Sequence, residues 1–412
     1  MAHPSLADPS SAPTACSAGL SFDDALAMIA ADAGPLGTEL VPLARVGRRI
    51  LAEPVTAQID APRVDVAAMD GYAVRDSDVD AGQRVFVLAG TSYPGSAVTP
   101  LIQSGQAARI MTGAELPAGA TRVLPWENVV ASDDRIVADA LPAKRHVRVR
   151  GSDFRAGDAL VPAGRAVDPR TMVVAAAADM AALTVWRVPR VSVIATGNEL
   201  TTPGLACTTR LQVPDSLSAA IDLFVRRWGG RPSGSVLLPD DLAAIERAGV
   251  EAIDACDVLV MIGGASMGDR DFARAALHRL GLQVRFSKVA IKPGKPVWYG
   301  RIGDKHVLGL PGNPTAAMTT ARLFLAPLLT GVGGRGVGVG LRWSRAPLAT
   351  AMPANGDREA FLCAAQDEGG VRLIERQSAS SQMTLGLSDV LVRRPANASA
   401  ADAGAEVLIA RF

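Results

Sequence analysis

The chain has 412 residues, 49% hydrophobic and 20% charged, which is typical of a folded protein of several domains and excludes one small module. Its 42 basic and 41 acidic residues give a net charge of +1, and only 4% are aromatic, so nothing favours a nucleic-acid or membrane-surface binder. The four cysteines (Cys16, Cys207, Cys256 and Cys363) form no C-x-x-C pair. They indicate neither a zinc site nor a disulfide framework, and they fit a reducing cytoplasm.

The first half of the chain changes pattern several times. Residues 1–20 are rich in Pro, Ser and Ala and lack the features of a secretory signal, which predicts a disordered tail. SFDDALAMIAA predicts an amphipathic helix capped by Ser21. Between residues 50 and 149, short pieces such as RVFVLAG and QAARIMTG alternate with Gly and Pro turns and indicate a β-rich domain. The apolar run 172–186 is short for a membrane span and predicts a buried helix.

From residue 189 to about 329, strand and helix patterns alternate. VSVIAT, DVLVMIG, VWYGRI and HVLGLP predict strands, whereas DSLSAAIDLFVRRWG, DDLAAIERAGVEAI and NPTAAMTTARLFLAPLL predict helices. This alternation predicts a parallel sheet with helices on both faces. GVGGRGVGVG (331–340) predicts a Gly-rich linker, and the strand-like residues 341–412 predict a small β-barrel or sandwich.

Three of these predicted strands end in loops whose residues could bind a ligand. VSVIAT continues into GNE, DVLVMI into GGASMGDRD, and HVLGL into PGNP. Because the carboxyl ends of parallel strands meet at one sheet edge, the loops should converge at a ligand site. The glycines and Ser266 predict an anion cradle, although the loop matches neither a P-loop nor the dinucleotide fingerprint. PGNP equally predicts a rigid turn that places Pro314 at the start of a helix.

Charged residues beside these loops strengthen the prediction. Three of the five lysines (Lys288, Lys292 and Lys295) fall in KVAIKPGKP, in a chain where Arg supplies the other 37 positive charges. Chance clustering on a loop is one interpretation, and a need for compact ammonium groups is the one we favour. Glu199 and Asp271 lie beside the predicted phosphate binders, a combination that indicates Mg²⁺. Helix capping would explain either acid alone but not both.

Two further clusters lie in the β-rich segment. Asp70 in MDGYA and Thr112 in MTGAELP occupy predicted tight turns. Arg148, Arg150 and Asp153 in RVRGSDF form a charged cluster that equally suits a surface ion-pair network. Taken alone, these residues predict turns and surface charge. The four histidines are isolated and indicate neither a metal site nor a catalytic triad.

Eight motifs occur in a familiar order and spacing: MDGYA, IMTGAELPAGA, RVRGSDF, ATGNEL, LLPDD, GGASMGDRD, KVAIKPGKP and GLPGNP. In this order they resemble the molybdopterin molybdenumtransferase family, which includes bacterial MoeA and the E domain of gephyrin. The resemblance covers residues 21–330 well and 341–412 loosely. A single motif would be weak, but eight in sequence are highly specific.

The resemblance implies a multidomain α/β plus β fold and an elongated cytoplasmic homodimer. The implied domains are a disordered tail (1–20), a discontinuous linking domain (21–48 and 150–187), a β-rich arm (49–149), an α/β molybdopterin-binding domain with a mainly parallel sheet similar to the molybdopterin adenylyltransferase (188–330), a Gly-rich linker (331–340) and a C-terminal small β-barrel (341–412). The arm would reach the α/β domain of the other subunit, so that each active site would be shared between subunits.

The implied reaction inserts molybdate into adenylylated molybdopterin, releases AMP and forms molybdenum cofactor, with Mg²⁺ as cofactor. Implied partners are the molybdopterin adenylyltransferase and target molybdoenzymes, with no nucleic acid and no membrane. The implied catalytic residues are Asp70, Glu199, Asp240, Asp271, Lys288 and Lys292, of which Glu199, Asp240 and Asp271 would bind the metal. The implied substrate-binding residues are Thr112, Arg148, Asp153, Gly263, Gly264, Ser266, Gly268, Lys295, Pro311, Gly312, Asn313, Pro314 and Ser381.

Elementary electrostatics agrees with these implied roles. Lys288, Lys292 and Arg148 would neutralise phosphate and molybdate oxygens. The carboxylates would repel molybdate unless a cation lay between them, which gives the metal requirement a physical basis. The sulfur ligands of molybdenum come from the substrate, so the protein needs no Cys or His cluster of its own.

Four positions depart from the pattern of the family. Leu217 stands where Asn is usual, Ser152 and Thr121 replace acidic residues, and Cys363 stands where Arg is frequent. Three hypotheses follow. The transferase is favoured by the complete acidic set and the lysines. A non-catalytic protein that stores or carries molybdenum cofactor would bind the cofactor without releasing AMP. A scaffold would tolerate loss of the acidic residues.

Overall fold

The computed structural model describes residues 19–96, 100–208, 210–263 and 272–412. Within it the chain divides into two compact units. The first, called the β-rich unit below, is Leu40–Val185, and the second, called the α/β unit, combines Met1–Glu39 with Trp186–Phe412. The predicted tail, residues 1–20, lies outside the described range except for its last two residues.

The first helix, α1 (Phe22–Asp32), belongs to the α/β unit. Ser21 caps it as predicted, because its hydroxyl oxygen accepts a hydrogen bond from the N–H of Asp24 at 3.1 Å. Phe22 is buried, with its ring centroid 5.5 Å from that of Phe324 and 5.0 Å from that of Phe361. This aromatic packing places α1 with residues 186–412 and not with residues 150–187, where the predicted linking domain put it.

The regular structure of the β-rich unit consists mainly of short strands, with helices α2 (Asp76–Asp80) and α3 (Pro169–Ala177). The strands are β1 (Thr38–Pro42), β2 (Val55–Thr56), β3 (Val66–Ala67), β4 (Gly71–Val74), β5 (Val85–Ser92), β6 (Gln106–Ile110), β7 (Arg122–Pro125), β8 (Val129–Ala131), β9 (Arg135–Ala138), β10 (Val147–Arg148), β11 (Ala159–Val161) and β12 (Ala182–Trp186). Short 3₁₀ turns cover Leu43–Arg45 and Trp126–Asn128.

Six of these strands form a mixed sheet in the order β7-β4-β6-β5-β9-β8. β4 runs antiparallel to both β6 and β7, so its beginning lies beside their ends. The turns at residues 68–70, 111–113 and 126–128 therefore meet at one end of the sheet. A separate hydrophobic core is formed by residues 41–57 and 161–185, which are distant in sequence.

The apolar run 172–186, predicted as one buried helix, is divided in the structure. α3 begins after Asp168, whose side chain accepts a hydrogen bond from the N–H of Thr171, and it ends at Ala177. Asp179 has a φ of 63°, a left-handed conformation that stops a helix. The following ALTVW is rich in β-branched and aromatic residues and forms β12. The single-helix prediction was wrong because it counted apolar residues without this change in propensity.

The α/β unit carries the remaining elements. Its strands are β13 (Arg190–Thr196), β14 (Leu200–Thr201), β15 (Val213–Pro214), β16 (Arg231–Leu238), β17 (Val258–Ile262), β18 (Gln283–Ser287), β19 (Ile291–Lys292), β20 (Trp298–Ile302), β21 (Lys305–Leu310), β22 (Ser344–Pro347), β23 (Glu359–Asp367), β24 (Gly370–Leu373), β25 (Val390–Arg394) and β26 (Glu406–Arg411). Its other helices are α4 (Ser218–Arg227), α5 (Leu242–Ala255), α6 (Phe272–Arg279), α7 (Pro314–Thr320), α8 (Ala326–Val332), α9 (Val337–Gly340) and α10 (Gln382–Gly386), with a 3₁₀ turn at Ala206–Thr208.

The main sheet of this unit has the order β16-β13-β17-β21-β20-β18. The first four strands are parallel, whereas β20 runs antiparallel to both of its neighbours, β21 and β18. The sheet is mainly parallel, as expected, but VWYGRI does not join it as a parallel strand because the two residues Gly303 and Asp304 join β20 directly to β21, which leaves no room for a crossover helix. The carboxyl ends of β13, β17 and β21 lie side by side, as predicted.

One helical stretch, Pro314–Val332, is long and apolar enough to cross a membrane by length and composition alone. It consists of α7, a π-helical turn (Ala321–Leu325) and α8. Its most apolar window is 94% buried inside the protein. The buried core helix of a protein can have the same length and apolar composition, so this stretch is only weak support for a membrane span.

Residues 331–340, predicted as a Gly-rich linker, are packed in the structure. They include the end of α8 and the short helix α9, and a Cβ on Gly340 would lie 2.5 Å from the carbonyl oxygen of Ala326. Beyond them, β22, β26, β25 and β23 form an antiparallel sheet, with β24 beside β23. The N–H of Ala349 donates to the carbonyl of Val371 at 2.8 Å, which links the end of β22 to β24.

Candidate functional site

A cavity of about 910 Å³ lies at the carboxyl ends of the four parallel strands in the α/β unit. Its described walls come from the loops after these strands, from the turn around Lys288, and from the segments before α4 and α10. The site residues expected from the sequence that line it are Glu199, Asp240, Gly263, Lys288, Lys295, Pro311, Gly312, Asn313 and Pro314.

Two glycine loops touch at the base of the cavity. Gly263 has a φ of +88°, and a Cβ at this position would lie 2.5 Å from the carbonyl oxygen of Thr196. Only glycine fits both the conformation and the space. The N–H of Gly263 donates to the carbonyl of Leu310 at 3.3 Å, and a Cβ on Gly312 would lie 3.6 Å from the Cα of Gly263. The loops after β17 and β21 therefore meet as predicted, within the described residues.

Three acidic residues line the cavity, Asp215 and the two expected from the sequence, Glu199 and Asp240. The side-chain oxygen of Asn198 accepts a hydrogen bond from the N–H of Asp240 at 3.1 Å, which ties the ATGNEL loop to the LLPDD loop. The carboxylate of Glu199 folds back over Gly197, since a Cβ there would lie 2.9 Å from its Oε2. Neither Glu199 nor Asp240 forms an ion pair with any residue in the described part of the chain. Both charges thus remain available to a ligand.

Lys288 and Lys295 supply the opposite charge. The N–H of Lys288 donates to the carbonyl of Val297, and the N–H of Val289 donates to the carbonyl of Lys295, each at 3.0 Å. These bonds hold both lysines at the cavity wall, where their side chains are exposed and pair with no described acidic residue. Lys292 differs, because it lies on β19 opposite Ala360 of β23 and does not line the cavity.

The C-terminal part of the chain completes the wall, although not with the residue predicted. The carbonyl of Ser381 accepts from the hydroxyl of Thr315 at 2.7 Å, and the hydroxyl of Ser381 accepts from that of Thr384 at 2.8 Å. Ser381 therefore anchors α10, whereas its neighbours Ser380 and Gln382 line the cavity. Sequence reasoning missed these two, and no local signal separates them from Ser381.

The positions that depart from the family have structural roles here. Leu217 is buried at 5% exposure in the hydrophobic core, an environment that suits leucine better than asparagine. The hydroxyl of Thr121 accepts a hydrogen bond from the N–H of Asp76 at 2.9 Å, at the start of α2. Cys363 is buried on β23, and burial raises the pKa of its thiol. The N–H of Ser152 closes a turn onto the carbonyl of Val149.

The β-rich unit carries the other expected residues. Thr112 donates to Asp70 Oδ1 from both its N–H and its hydroxyl, each at 2.7 Å. These bonds, the N–H first, hold the pKa of the Asp70 carboxyl below its usual range. The side chains of Arg148 and Asp153 are exposed and pair with no residue of the described chain. They lie on either side of Arg150, which forms an ion pair with Asp60.

Four of the expected residues, Gly264, Ser266, Gly268 and Asp271, lie outside the described residues. Among the residues that are described, no three His, Cys, Asp or Glu side chains are grouped to hold a metal ion. Glu199 and Asp240 nevertheless line one cavity with free carboxylates, and carboxylate oxygens are the ligands that Mg²⁺ takes. The donor set therefore fits Mg²⁺ for two of the three implied ligands.

Comparisons with known proteins identify relatives over most of the chain. Residues 20–178 match the family described as "MoeA N-terminal region (domain I and II)", and residues 192–331 match the "Probable molybdopterin binding domain". The molybdopterin molybdenumtransferase of Synechococcus elongatus is 37% identical over 331 residues, covering 75% of this chain and 80% of that protein. That of Haemophilus influenzae is 34% identical over 315 residues, 76% of each chain.

A solved structure extends the similarity to the whole fold. The molybdopterin biosynthesis MoeA protein of Pyrococcus horikoshii superposes with a TM-score of 0.83 at 29% identity, covering 96% of this chain and 99% of that one. The match therefore includes residues 341–412, where the sequence motifs are sparse. Because these relatives match most of its length, and because its cavity lies at the strand ends, the chain belongs to the molybdopterin molybdenumtransferase family.

Proposed function

We propose that this protein inserts molybdenum into adenylylated molybdopterin, releasing AMP and forming molybdenum cofactor. The observation that carries the proposal is the cavity itself. It brings two lysines and three carboxylates, those of Glu199, Asp215 and Asp240, together without ion pairs among the described residues, in a chain whose curated relatives are named molybdopterin molybdenumtransferases. Unpaired charges of both signs in one cavity suit a reaction between anions that needs cationic assistance.

The basic and acidic residues of the cavity would have different roles in this reaction. Lys288 and Lys295 attract and orient the phosphate and molybdate oxygens. The glycines at positions 263 and 312 let the backbone approach these oxygens closely. Glu199 and Asp240 orient a water or a cation beside the phosphate. Lys292 lies outside the cavity wall, and its positive charge would attract the anionic substrate as it approaches.

Mg²⁺ would be held by Glu199 and Asp240, together with Asp271. When bound, the ion supplies positive charge that offsets the repulsion between these carboxylates and molybdate. This role predicts that removal of divalent cations stops AMP release while the fold persists. A protein that released AMP equally well in excess chelator would contradict it.

We infer further that the protein is a cytoplasmic homodimer in which Asp70 and Thr112 of one subunit complete the site of the other. The support is that the paired Asp70–Thr112 turn is exposed at the end of a sheet and the carboxylate stays charged. Arg148 and Asp153, also exposed, would join the same site. The molybdopterin adenylyltransferase and molybdoenzymes would be its partners, and residues 341–412 would form a small β-barrel.

Mixing subunits tests the shared site. Asp70→Ala and Glu199→Ala would each inactivate the homodimer. Random mixing of the two variants gives half heterodimers with one intact site each, so about a quarter of the wild-type activity should return. If the mixture stays as inactive as its components, each site is built from one subunit.

AMP release from adenylylated molybdopterin by the purified protein, with and without molybdate and Mg²⁺, tests the reaction. We expect release that depends on both and yields active cofactor. Tight binding of the pterin without AMP release would contradict the transferase and favour a carrier of molybdenum cofactor.

A further inference from the structure

A buried hydroxyl at the cavity wall has no partner. Thr196 is the last residue of β13, lines the cavity and is 5% exposed. Its Oγ1 forms no hydrogen bond with any residue that the structure describes. Because an unpaired buried hydroxyl costs free energy, such a group beside a cavity points to a ligand that satisfies it.

The surroundings of this hydroxyl define the chemistry of that ligand. A Cβ on Gly263 would lie 3.2 Å from Thr196 Oγ1, so the hydroxyl faces the start of the glycine-rich loop. Lys288 and Lys295 line the same cavity and pair with no acidic residue in the described ranges. A hydroxyl that lines the same cavity as free ammonium groups can donate to the oxygen of an anion bound there.

We propose that Thr196 is a substrate-binding residue whose hydroxyl donates a hydrogen bond to an oxygen of a bound tetrahedral oxyanion. This inference rests on the proposed function, in which two groups have that chemistry. One is the phosphate of the adenylyl group and the other is molybdate. The bond would satisfy the buried hydroxyl only in the complex, so it would contribute to affinity without contributing to the stability of the free protein.

The chain offers a matched control for this claim. Thr319 on α7 is fully buried, and its Oγ1 also lacks a hydrogen-bond partner among the described residues, but it does not line the cavity. Thr196→Val and Thr319→Val each remove an unpaired buried hydroxyl with little change of shape. Neither substitution should lower the Tm of the free protein, because no hydrogen bond is lost. Thr196→Ser keeps the hydroxyl and serves as the conservative variant.

Binding of AMP and of molybdate is measured separately by calorimetry on the full-length wild type and the three variants, alongside Tm. Thr196→Val should weaken binding of one of the two anions about tenfold, equivalent to about 1.4 kcal/mol, and the affected anion identifies the oxygen. Thr196→Ser and Thr319→Val should stay within about threefold of the wild type. Wild-type affinity of Thr196→Val for both anions would overturn the assignment, as would an equal loss in Thr319→Val.

The same experiment separates this inference from the proposed function. If the wild type binds AMP but never releases it from adenylylated molybdopterin, the proposed reaction fails while a tenfold loss in Thr196→Val still supports the hydrogen bond. If the wild type turns over and Thr196→Val matches it in affinity and KM, only the Thr196 assignment fails. If the wild type binds neither anion, both proposals fail together.

Discussion

Two groups of charged residues, one in each unit of the molecule, differ in whether they form ion pairs. In the β-rich unit, Arg122 and Arg145 both pair with Asp76, which is largely buried. Arg150 pairs likewise with Asp60. In the α/β unit, the lysines and carboxylates that line the cavity form no ion pair with any described residue. Paired charges stabilise a fold, whereas unpaired charges of both signs in one cavity are available to a ligand. Asp70 is intermediate, because hydrogen bonds fix its carboxylate without neutralising it.

This contrast predicts that cavity charges govern activity and that paired charges govern stability. Glu199→Gln should have the largest effect, a loss of AMP release of roughly 100-fold or more, because it removes one carboxylate from the reacting groups. Its Tm should stay near that of the wild type, since Glu199 pairs with nothing in the described chain. Glu251→Gln, on the exposed surface of α5, is the matched control and should leave both quantities unchanged. A large drop in Tm for Glu199→Gln would show that its carboxylate is structural.

Breaking the buried ion pair between Arg122 and Asp76 tests the claim that paired charges govern stability. Arg122→Met should lower the free energy of unfolding by about 3 kcal/mol, because it leaves Asp76 buried beside only one cation. Urea unfolding measures this, and AMP release per folded molecule should not change. Arg135→Met breaks an exposed pair with Asp134 and should leave the free energy of unfolding unchanged within the error of the measurement. Equal costs for the two variants would mean that burial is irrelevant to these pairs.

Protonation of His306 should make the stability of the fold depend on pH without affecting activity. His306 is buried beside Tyr299, with 2.8 Å between the Tyr299 hydroxyl oxygen and His306 Nδ1. Burial, followed by the charge of Arg301, lowers the pKa of His306 to about 4, although Asp32, Asp304 and Asp257 oppose the shift. The unfolded chain therefore takes up this proton first, so stability is complete above pH 6.5 and falls as the pH drops from 6.5 to about 4.

The size of that loss is at most about 3 kcal/mol from the difference between the folded and unfolded pKa. Urea unfolding of the wild type and His306→Gln between pH 4 and 8 isolates it, because other groups titrate in both proteins. His278→Gln, which replaces an exposed histidine at the end of α6, is the control substitution. A wild-type slope in His306→Gln would assign the pH dependence to other groups.

The smallest predicted effects separate two adjacent serines. Ser380→Ala should weaken binding of adenylylated molybdopterin by about threefold to tenfold, the cost of one hydrogen bond. Its Tm should hardly change, because the hydrogen bond between the Ser380 and Ser378 hydroxyls is exposed to water. Ser381→Ala should instead lower stability by about 1 kcal/mol with an unchanged affinity, because its hydroxyl bonds to Thr384. The reverse pattern would support the original expectation that Ser381 binds the substrate.

The sequence predicted most of what local chemistry determines. The Ser21 cap, Pro314 at the first position of α7 and the convergence of three loops follow from patterns within about ten residues. The antiparallel β20, the division of residues 172–186 and the packing of α1 on Phe361 depend on contacts distant in sequence. For the same reason Ser380 and Gln382 were missed, because long-range packing alone brings them to the cavity.

The most direct test of the central claim is the affinity for AMP when both cavity lysines lose their charge. Calorimetry compares the wild type with the double variant Lys288→Gln/Lys295→Gln and with Lys144→Gln/Lys305→Gln, whose lysines do not line the cavity. We predict that the cavity variant loses about 100-fold in affinity, since two charge-assisted hydrogen bonds disappear, while the control stays within about twofold. Equal affinity in the two double variants would contradict the claim that the unpaired charges of this cavity bind the substrate.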